Sequence, residues 1–291
     1  MNDATIGIIG GSGLYQIDGL TDVSERKIDT PYGPPSDAIV LGTLRGQRVA
    51  FLPRHGRGHR INPTRVPYRA NIYALKTLGV ERLVSVNAVG SLREEMAPMD
   101  IVIPDQLIDR TRHRADTFFE DGIVAHVAFA EPFCPDMRQA LAVAAADTGA
   151  RVHTGGTYVA MEGPQFSTRA ESELYRSWGA HIIGMTAMPE AKLAREAEIC
   201  YGAVAFVTDY DCWHAGHDSV TTEIIFRNLQ RGAATARAIV SHVVEMLPPN
   251  RSCSCGSALS DAIVTAADLV PDETRKRLGP IAGRYLADVS P

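Results

Sequence analysis

Short apolar runs that stop at glycine, proline or charged residues recur along the chain, alternating with stretches whose apolar residues fall three and four apart. The first pattern reads as buried strand and the second as amphipathic helix. Strands are expected at 4–9, 37–43, 47–52, 82–86, 100–104, 156–161, 181–185 and 203–207, and helices at 63–78, 135–148, 188–196 and 220–247. The last helix is open to interruption at Gly232, and Pro248 and Pro249 end it. Residues 250–256 read as a loop, 257–286 as one or two terminal helices, and the polar segment 109–121 as a mobile loop or surface connection. Strands alternating with helices imply a parallel or mixed sheet flanked by helices, an α/β fold in a single domain.

In open α/β sheets ligands bind beyond the carboxyl ends of strands, so the residues there carry the candidate chemistry. The first strand runs into Gly10-Gly11-Ser12-Gly13, where backbone N–H groups and the Ser12 hydroxyl can cradle an anion. Its spacing matches neither the dinucleotide nor the P-loop pattern, and a tight turn without a ligand reads equally well. Another strand ends in Pro53-Arg54-His55-Gly56-Arg57-Gly58-His59-Arg60. A guanidinium fork binds an oxyanion bidentately, an imidazole adds a donor, and the alternative is a solvated basic loop. A metal fits His55 and His59 poorly, because no carboxylate or thiol lies near them in sequence.

The strand at 82–86 is expected to close in a polar turn, Asn87 to Ser91, where Asn87 and the Ala88 N–H can meet the same anion. Thr186 precedes a helix N-terminus, which favours negative charge, and Met185 beside it offers an apolar contact. After 156–161, Phe166 can stack on a flat ring and Ser167 can bond its edge. Ser167 or Thr168 equally suits a helix N-cap, the simpler reading for Ser167. The run at 203–207 ends in Thr208-Asp209-Tyr210-Asp211-Cys212-Trp213. In an extended segment Asp209 and Asp211 face one side together, as acceptors for N–H donors, with one acid protonated by its neighbour's charge. The plain alternative is an Asx turn with both acids solvated. Taken together, these strand ends describe room for a phosphate, a sugar and a nitrogenous ring.

Composition narrows the partners. The chain has 291 residues, 45% apolar and 22% charged, with a net charge of −5, which argues against wrapping nucleic acid or an anionic membrane surface. No apolar run is long enough to span a membrane and no signal-peptide pattern opens the chain, so a cytoplasmic location is expected. Five cysteines form no disulfide framework, and the pair Cys253 and Cys255 supplies too few thiols for a complete zinc site.

Gly10-Gly11-Ser12-Gly13, Pro53-Arg54-His55-Gly56, Asn87-Ala88-Val89-Gly90-Ser91, Glu162-Gly163-Pro164, Gly184-Met185-Thr186 and Thr208-Asp209-Tyr210-Asp211-Cys212-Trp213 resemble the motifs of the trimeric purine nucleoside phosphorylase family. Within it, the branch acting on S-methyl-5′-thioadenosine is the most similar. The resemblance spans residues 4 to about 247 and implies one α/β domain with a distorted mixed sheet surrounded by helices. On that basis residues 1–250 are the phosphorylase domain, and 251–291 a helical extension packed on it.

The resemblance further implies that Ser12, Arg54, His55, Asn87, Ala88 and Thr186 hold phosphate, and that Met185 lies against the ribose. It places Phe166 and Ser167 near the base, Asp209 and Asp211 on its edge, and Thr222 and Phe226 along the 5′ pocket. His126 resembles a residue lent to a neighbouring subunit's 5′ pocket. The implied reaction is phosphorolysis to adenine and a methylthioribose 1-phosphate, in a homotrimer or homohexamer, with phosphate as co-substrate and no metal or other cofactor. Asp209, its pKa raised by burial and by Asp211, is expected to protonate or hydrogen-bond N7 of the departing purine. Asn87, where animal enzymes carry threonine, Gly184, where they carry asparagine, and Thr222, at a usually apolar position, depart from the pattern. A 6-oxopurine or methylthioinosine phosphorylase, and a non-catalytic nucleotide sensor on the same scaffold, are the alternatives.

Overall fold

The computed structural model describes residues 3–11, 14, 16–214 and 222–286. In chain order it contains β1 (Ile6–Gly10), β2 (Thr21–Arg26), β3 (Ile39–Leu44), β4 (Gln47–Pro53), α1 (Tyr68–Thr77), β5 (Arg82–Ser91), β6 (Ile101–Ile103) and β7 (Gln106–Arg110). Then come α2 (Pro135–Ala146), β8 (Val152–Thr154), β9 (Thr157–Met161), α3 (Arg169–Ser177), β10 (Ile182–Gly184), α4 (Ala187–Glu196), β11 (Cys200–Asp209), α5 (Thr222–Met246), α6 (Asp272–Arg277) and α7 (Gly279–Leu286).

The central strands β1, β4, β5 and β11 are apolar along most of their length because parallel strands are covered on both faces. β1 lies between β4 and β5, and β5 pairs with β11, all parallel. At Gly90 and Ser91 the same β5 turns to pair antiparallel with β10, which continues in parallel to β9 and β7. β5 is therefore where the mixed sheet divides. β2 and β3 extend the far edge antiparallel, and β6 and β8 join beyond β11.

Side-chain alternation sorts the core into two layers. Val40, Val49 and Phe51 pack with Met137 and Leu141 of α2 and with Ile239 and Val243 of α5. Their neighbours Ile39, Leu41, Ala50 and Leu52 pack with α1, α4 and α7. The terminal segment belongs to this second layer through Val270, Leu278, Ile281, Ala282 and Leu286. Glu198, buried before β11, anchors that segment: its carboxylate accepts from the Leu259 amide (3.1 Å), Tyr285 (2.7 Å) and Arg284 (2.5 Å).

Several expectations need correction. Residues 87–91 are not a turn but the second half of β5. The segment 109–121 is pinned, since β7 runs to Arg110 and the Arg114 side chain is 2% exposed. The stretch 63–78 divides into a single-turn helix, Pro63–Arg65, and α1. α5 passes through Gly232 unbroken, and the ring of Phe206 occupies the space a side chain there would need. β2 and β8 carry no strand signal: β2 is polar and exposed, and β8 is three residues long. The pair Cys253 and Cys255 does not stand alone, for the fold brings Cys134 and Cys200 beside it. Among the described residues no helix is long and apolar enough to cross a membrane.

Candidate active site

Arg54 follows β4 and is buried, 3% exposed, against Glu190 of α4, 1% exposed. Its Nε donates to Glu190 Oε2 (2.8 Å) and Nη2 to Oε1 (3.0 Å), a bidentate pair. Nη2 also donates to Ser85 Oγ (2.6 Å) and Nη1 to the Val86 carbonyl (3.0 Å). Burial alone would lower the Arg54 pKa, and the Glu190 charge more than reverses this, so the guanidinium stays charged. The fork expected to grip an oxyanion thus grips Glu190, leaving one Nη1 hydrogen for another acceptor. Tyr201 completes the cluster by donating to Glu190 Oε1 (3.0 Å).

Asn87 and Thr186 join the same network. Thr186 Oγ1 donates to Asn87 Oδ1 (3.1 Å), and Asn87 Nδ2 donates to Ser85 Oγ (3.0 Å), all buried. Thr186 stands at the start of α4 without capping it through its side chain, and Ala88 is the next rung of β5, opposite Phe206. His55, adjacent to Arg54, turns Nδ1 to the Ile61 carbonyl (2.8 Å). A carbonyl only accepts, so the proton sits on Nδ1 and Nε2 presents a lone pair. Burial, and then the charge of Arg54, lower the His55 pKa to about 4. The neutral imidazole therefore offers Nε2 as a hydrogen-bond acceptor, where the sequence pointed to a donor. His59 stacks on His55 (4.3 Å) and Phe226 of α5 meets His59 edge-on (6.3 Å), which brings Phe226 to this loop.

At the other end of β5 stand the acids. Asp209 ends β11 after an irregularity in its pairing with β5, and Asp211 has left-handed backbone, φ 51°. Their convergence thus comes from a bulge and a tight turn rather than from strand alternation. It centres on Gly90: a Cβ there would lie 3.0 Å from Asp209 Oδ1 and 3.4 Å from Asp211 Cβ. Thr208 Oγ1 donates to Asp209 Oδ2 (2.7 Å) and the Asp211 amide to Oδ1 (2.8 Å). Burial raises the Asp209 pKa, and these two bonds oppose it. Asp211 does not raise it, contrary to expectation. The coupling runs the other way, since Asp211 is raised first by burial and then by the charge of Asp209. Asp211 Oδ2 is buried and makes no hydrogen bond of good geometry among the described residues, while the nearby Ser172 and Ser167 hydroxyls oppose the rise in its pKa.

Between the two ends, Met185 presses its sulfur against Gly163, 2.5 Å from where a Cβ would stand. Phe166 is exposed, and the Ser167 hydroxyl lies 3.5 Å from Met161 Sδ. The helix cap is Thr168, whose side chain and Glu171 form a capping box. At Gly184 a side chain would strike the hydroxyl of Tyr158, so that tyrosine occupies the space an asparagine would use. His126 stands apart, exposed, with its amide donating to Ala262 (2.8 Å). Ser12 and the Thr222 side chain lie outside the described residues.

Sequence reasoning missed Glu190, Ser85, Gly90 and Arg114. Arg114 donates to the carbonyls of Met185 (2.6 Å), Met188 (2.6 Å) and Glu162 (2.6 Å) and to Glu162 Oε1 (3.2 Å), lacing together the loops that carry Met185 and Phe166. Three arginines in five residues, 110 to 114, were the available signal, but nothing in that spacing shows which one turns inward.

Comparison with known proteins agrees with this geometry. The family model described as the phosphorylase superfamily matches residues 5–245. The S-methyl-5′-thioadenosine phosphorylase of Geobacter sulfurreducens is 56% identical over 98% of this chain and 100% of its own length. That of Gloeobacter violaceus is 57% identical over 98% and 97%. The crystal structure of a methylthioadenosine phosphorylase from an antarctic soil metagenomic library superposes with a TM-score of 0.93 at 52% identity, covering 97% of this chain and 99% of that one. The Schistosoma mansoni methylthioadenosine phosphorylase in complex with adenine gives 0.84 at 35% identity, over 89% and 99%. The chain belongs to the phosphorylase superfamily, in the branch of the S-methyl-5′-thioadenosine phosphorylases.

Proposed function

We propose that this chain catalyses phosphorolysis of S-methyl-5′-thioadenosine, giving adenine and S-methyl-5-thio-α-D-ribose 1-phosphate. The observation that carries the reading is β5 itself, with a buried polar network at Asn87 and a pair of acids meeting over Gly90, one oxygen of which makes no hydrogen bond among the described residues. Breaking an N-glycosidic bond builds positive charge on the ribose and negative charge on the purine. Phosphate supplies both the nucleophile and the countercharge. The Ala88 amide, Thr186, Asn87, Ser12, the spare Arg54 hydrogen and His55 Nε2, which accepts the hydroxyl of hydrogen phosphate, hold it below the sugar. Met185 lies against the ribose, Phe166 and Ser167 against the base, and Thr222 and Phe226 along the methylthio group.

Asp209, its pKa raised by burial, gives its proton or a hydrogen bond to N7 as adenine leaves. Asp211 takes the 6-amino N–H on Oδ2. A 6-oxo group would set lone pairs against that carboxylate, which favours adenine nucleosides by several-fold or more. No metal or other cofactor enters this chemistry. The active assembly is a homotrimer, or a hexamer built from it, in which His126 closes the neighbour's 5′ pocket. Residues 1–250 form the catalytic domain, 251–291 an extension on it, and the site of action is the cytoplasm.

The test is release of adenine from methylthioadenosine, and of hypoxanthine from methylthioinosine, with and without phosphate. Adenine release that depends on phosphate and far exceeds hypoxanthine release is expected. Equal release in phosphate-free buffer, or faster release of hypoxanthine, overturns the reading.

A further inference from the structure

Remote from the acids, four cysteines that the sequence scatters meet in one cluster. Cys134 stands at the N-cap of α2, Cys200 opens β11, and Cys253 and Cys255 belong to the turn after α5. Their four sulfurs lie within 4.8 Å of one another, the Cys200–Cys253 pair at 3.3 Å, and all four thiols are free. Four thiolates about 2.3 Å from a central ion, at the corners of a tetrahedron, stand roughly 3.8 Å apart. Closing the cluster around an ion therefore needs only small side-chain adjustments.

We propose that Cys134, Cys200, Cys253 and Cys255 bind one zinc ion in tetrahedral thiolate coordination, as a structural site that staples the terminal segment to α2 and β11. Four sulfur donors with no fifth oxygen or nitrogen ligand select a borderline-soft ion that accepts tetrahedral geometry. The surroundings suit the net charge of −2 that such a centre carries. The Arg251 guanidinium lies beside Cys200 and Cys253, tethered to the Glu198 carbonyl (2.8 Å) and shared with Glu81 (3.5 Å). Cys134 stands at the N-terminus of α2, where the helix dipole favours a thiolate. Three of the cysteines are buried, and a small cavity lined by Arg82, Asn250 and Arg251 beside Cys253 gives an ion its way in. Binding displaces the thiol protons, so uptake strengthens as pH rises.

Protein produced with zinc in the medium and purified without chelator is expected to contain about one zinc per chain. Stripped protein titrated with Co2+ should show thiolate-to-cobalt charge transfer and a tetrahedral d–d band. Zinc should then protect four of the five cysteines from a thiol reagent, leaving Cys212. Cys255→Ser should weaken zinc uptake by more than about tenfold, since even outer-shell substitutions cost that much, whereas Cys212→Ser should leave uptake unchanged. The Co2+ titration on the native sequence decides the matter should Cys255→Ser fail to fold. Below about 0.1 zinc per chain with no cobalt spectrum, or peptide maps joining these cysteines as disulfides in protein kept from oxidants, the site does not exist.

Discussion

A missing side chain governs the two acids. Gly90 leaves the gap into which Asp209 and Asp211 fold, so Gly90→Ala sets a methyl 3.0 Å from Asp209 Oδ1 and 3.2 Å from Ile183 Cγ2. The carboxylate has to shift, and kcat/KM for methylthioadenosine should fall by about tenfold or more while the melting temperature changes little, a split that steady-state kinetics and calorimetry read out. Asp209→Asn should lower kcat/KM by about 10²–10⁴ through loss of the proton donor, and Asp211→Asn should narrow the preference for adenine over hypoxanthine release. Arg54 was legible at this scale, but its partner was not. A glutamate in the first turn of a helix reads as a solvated charge favoured by the dipole, and only the packing of α4 against β5 buries Glu190. Glu190→Gln strands the Arg54 charge, so urea unfolding should show a loss of about 3–5 kcal/mol.

The strand and helix periods found most elements to within a few residues, because long buried runs leave little doubt. They failed at β2, whose residues face water and so carry no apolar pattern, and at the end of β5, where Asn, Gly and Ser imitate a turn. A small-residue strand end needs neighbours on both sides to become strand, and β10 and β11 supply them. In α5, Gly232 is a packing position rather than a break. A Cβ there would lie 2.1 Å from Phe206 Cζ, so Gly232→Ala should cost about 1–3 kcal/mol, and Phe206→Leu should relieve part of it, as a double-mutant cycle would show. Glu196, at the end of α4, accepts from Thr117 (2.7 Å) and the Phe118 amide (2.7 Å), yet burial dominates and raises its pKa from 4.5 to about 7. Below pH 4.5 folded and unfolded chains both hold the proton. Between 4.5 and about 7 only the folded chain does, so this group's contribution to stability falls as pH rises and levels off above 7. Glu196→Gln should flatten that part of the pH–stability curve.

For the molecule as a whole, the mixed sheet clad in helices followed from the alternation of elements, whereas the joining of chain segments far apart in sequence did not. Glu198 holds Leu259, Arg284 and Tyr285, contacts between residues 61 to 87 positions apart that no local pattern encodes. Glu198→Ala should therefore expose the terminal segment to trypsin well before the sheet opens, which a limited-proteolysis time course would resolve. The continuity of β5 reaches furthest. Asn87 and Gly90 stand three rungs apart on one covalent rail, about 10 Å at 3.3 Å per rung, and no hinge between them can stretch or shorten that interval. The chain is in effect a fixed gauge for its two reactants: arsenate, a tetrahedral oxyanion of similar size, should substitute for phosphate, and pyrophosphate, one link longer, should not.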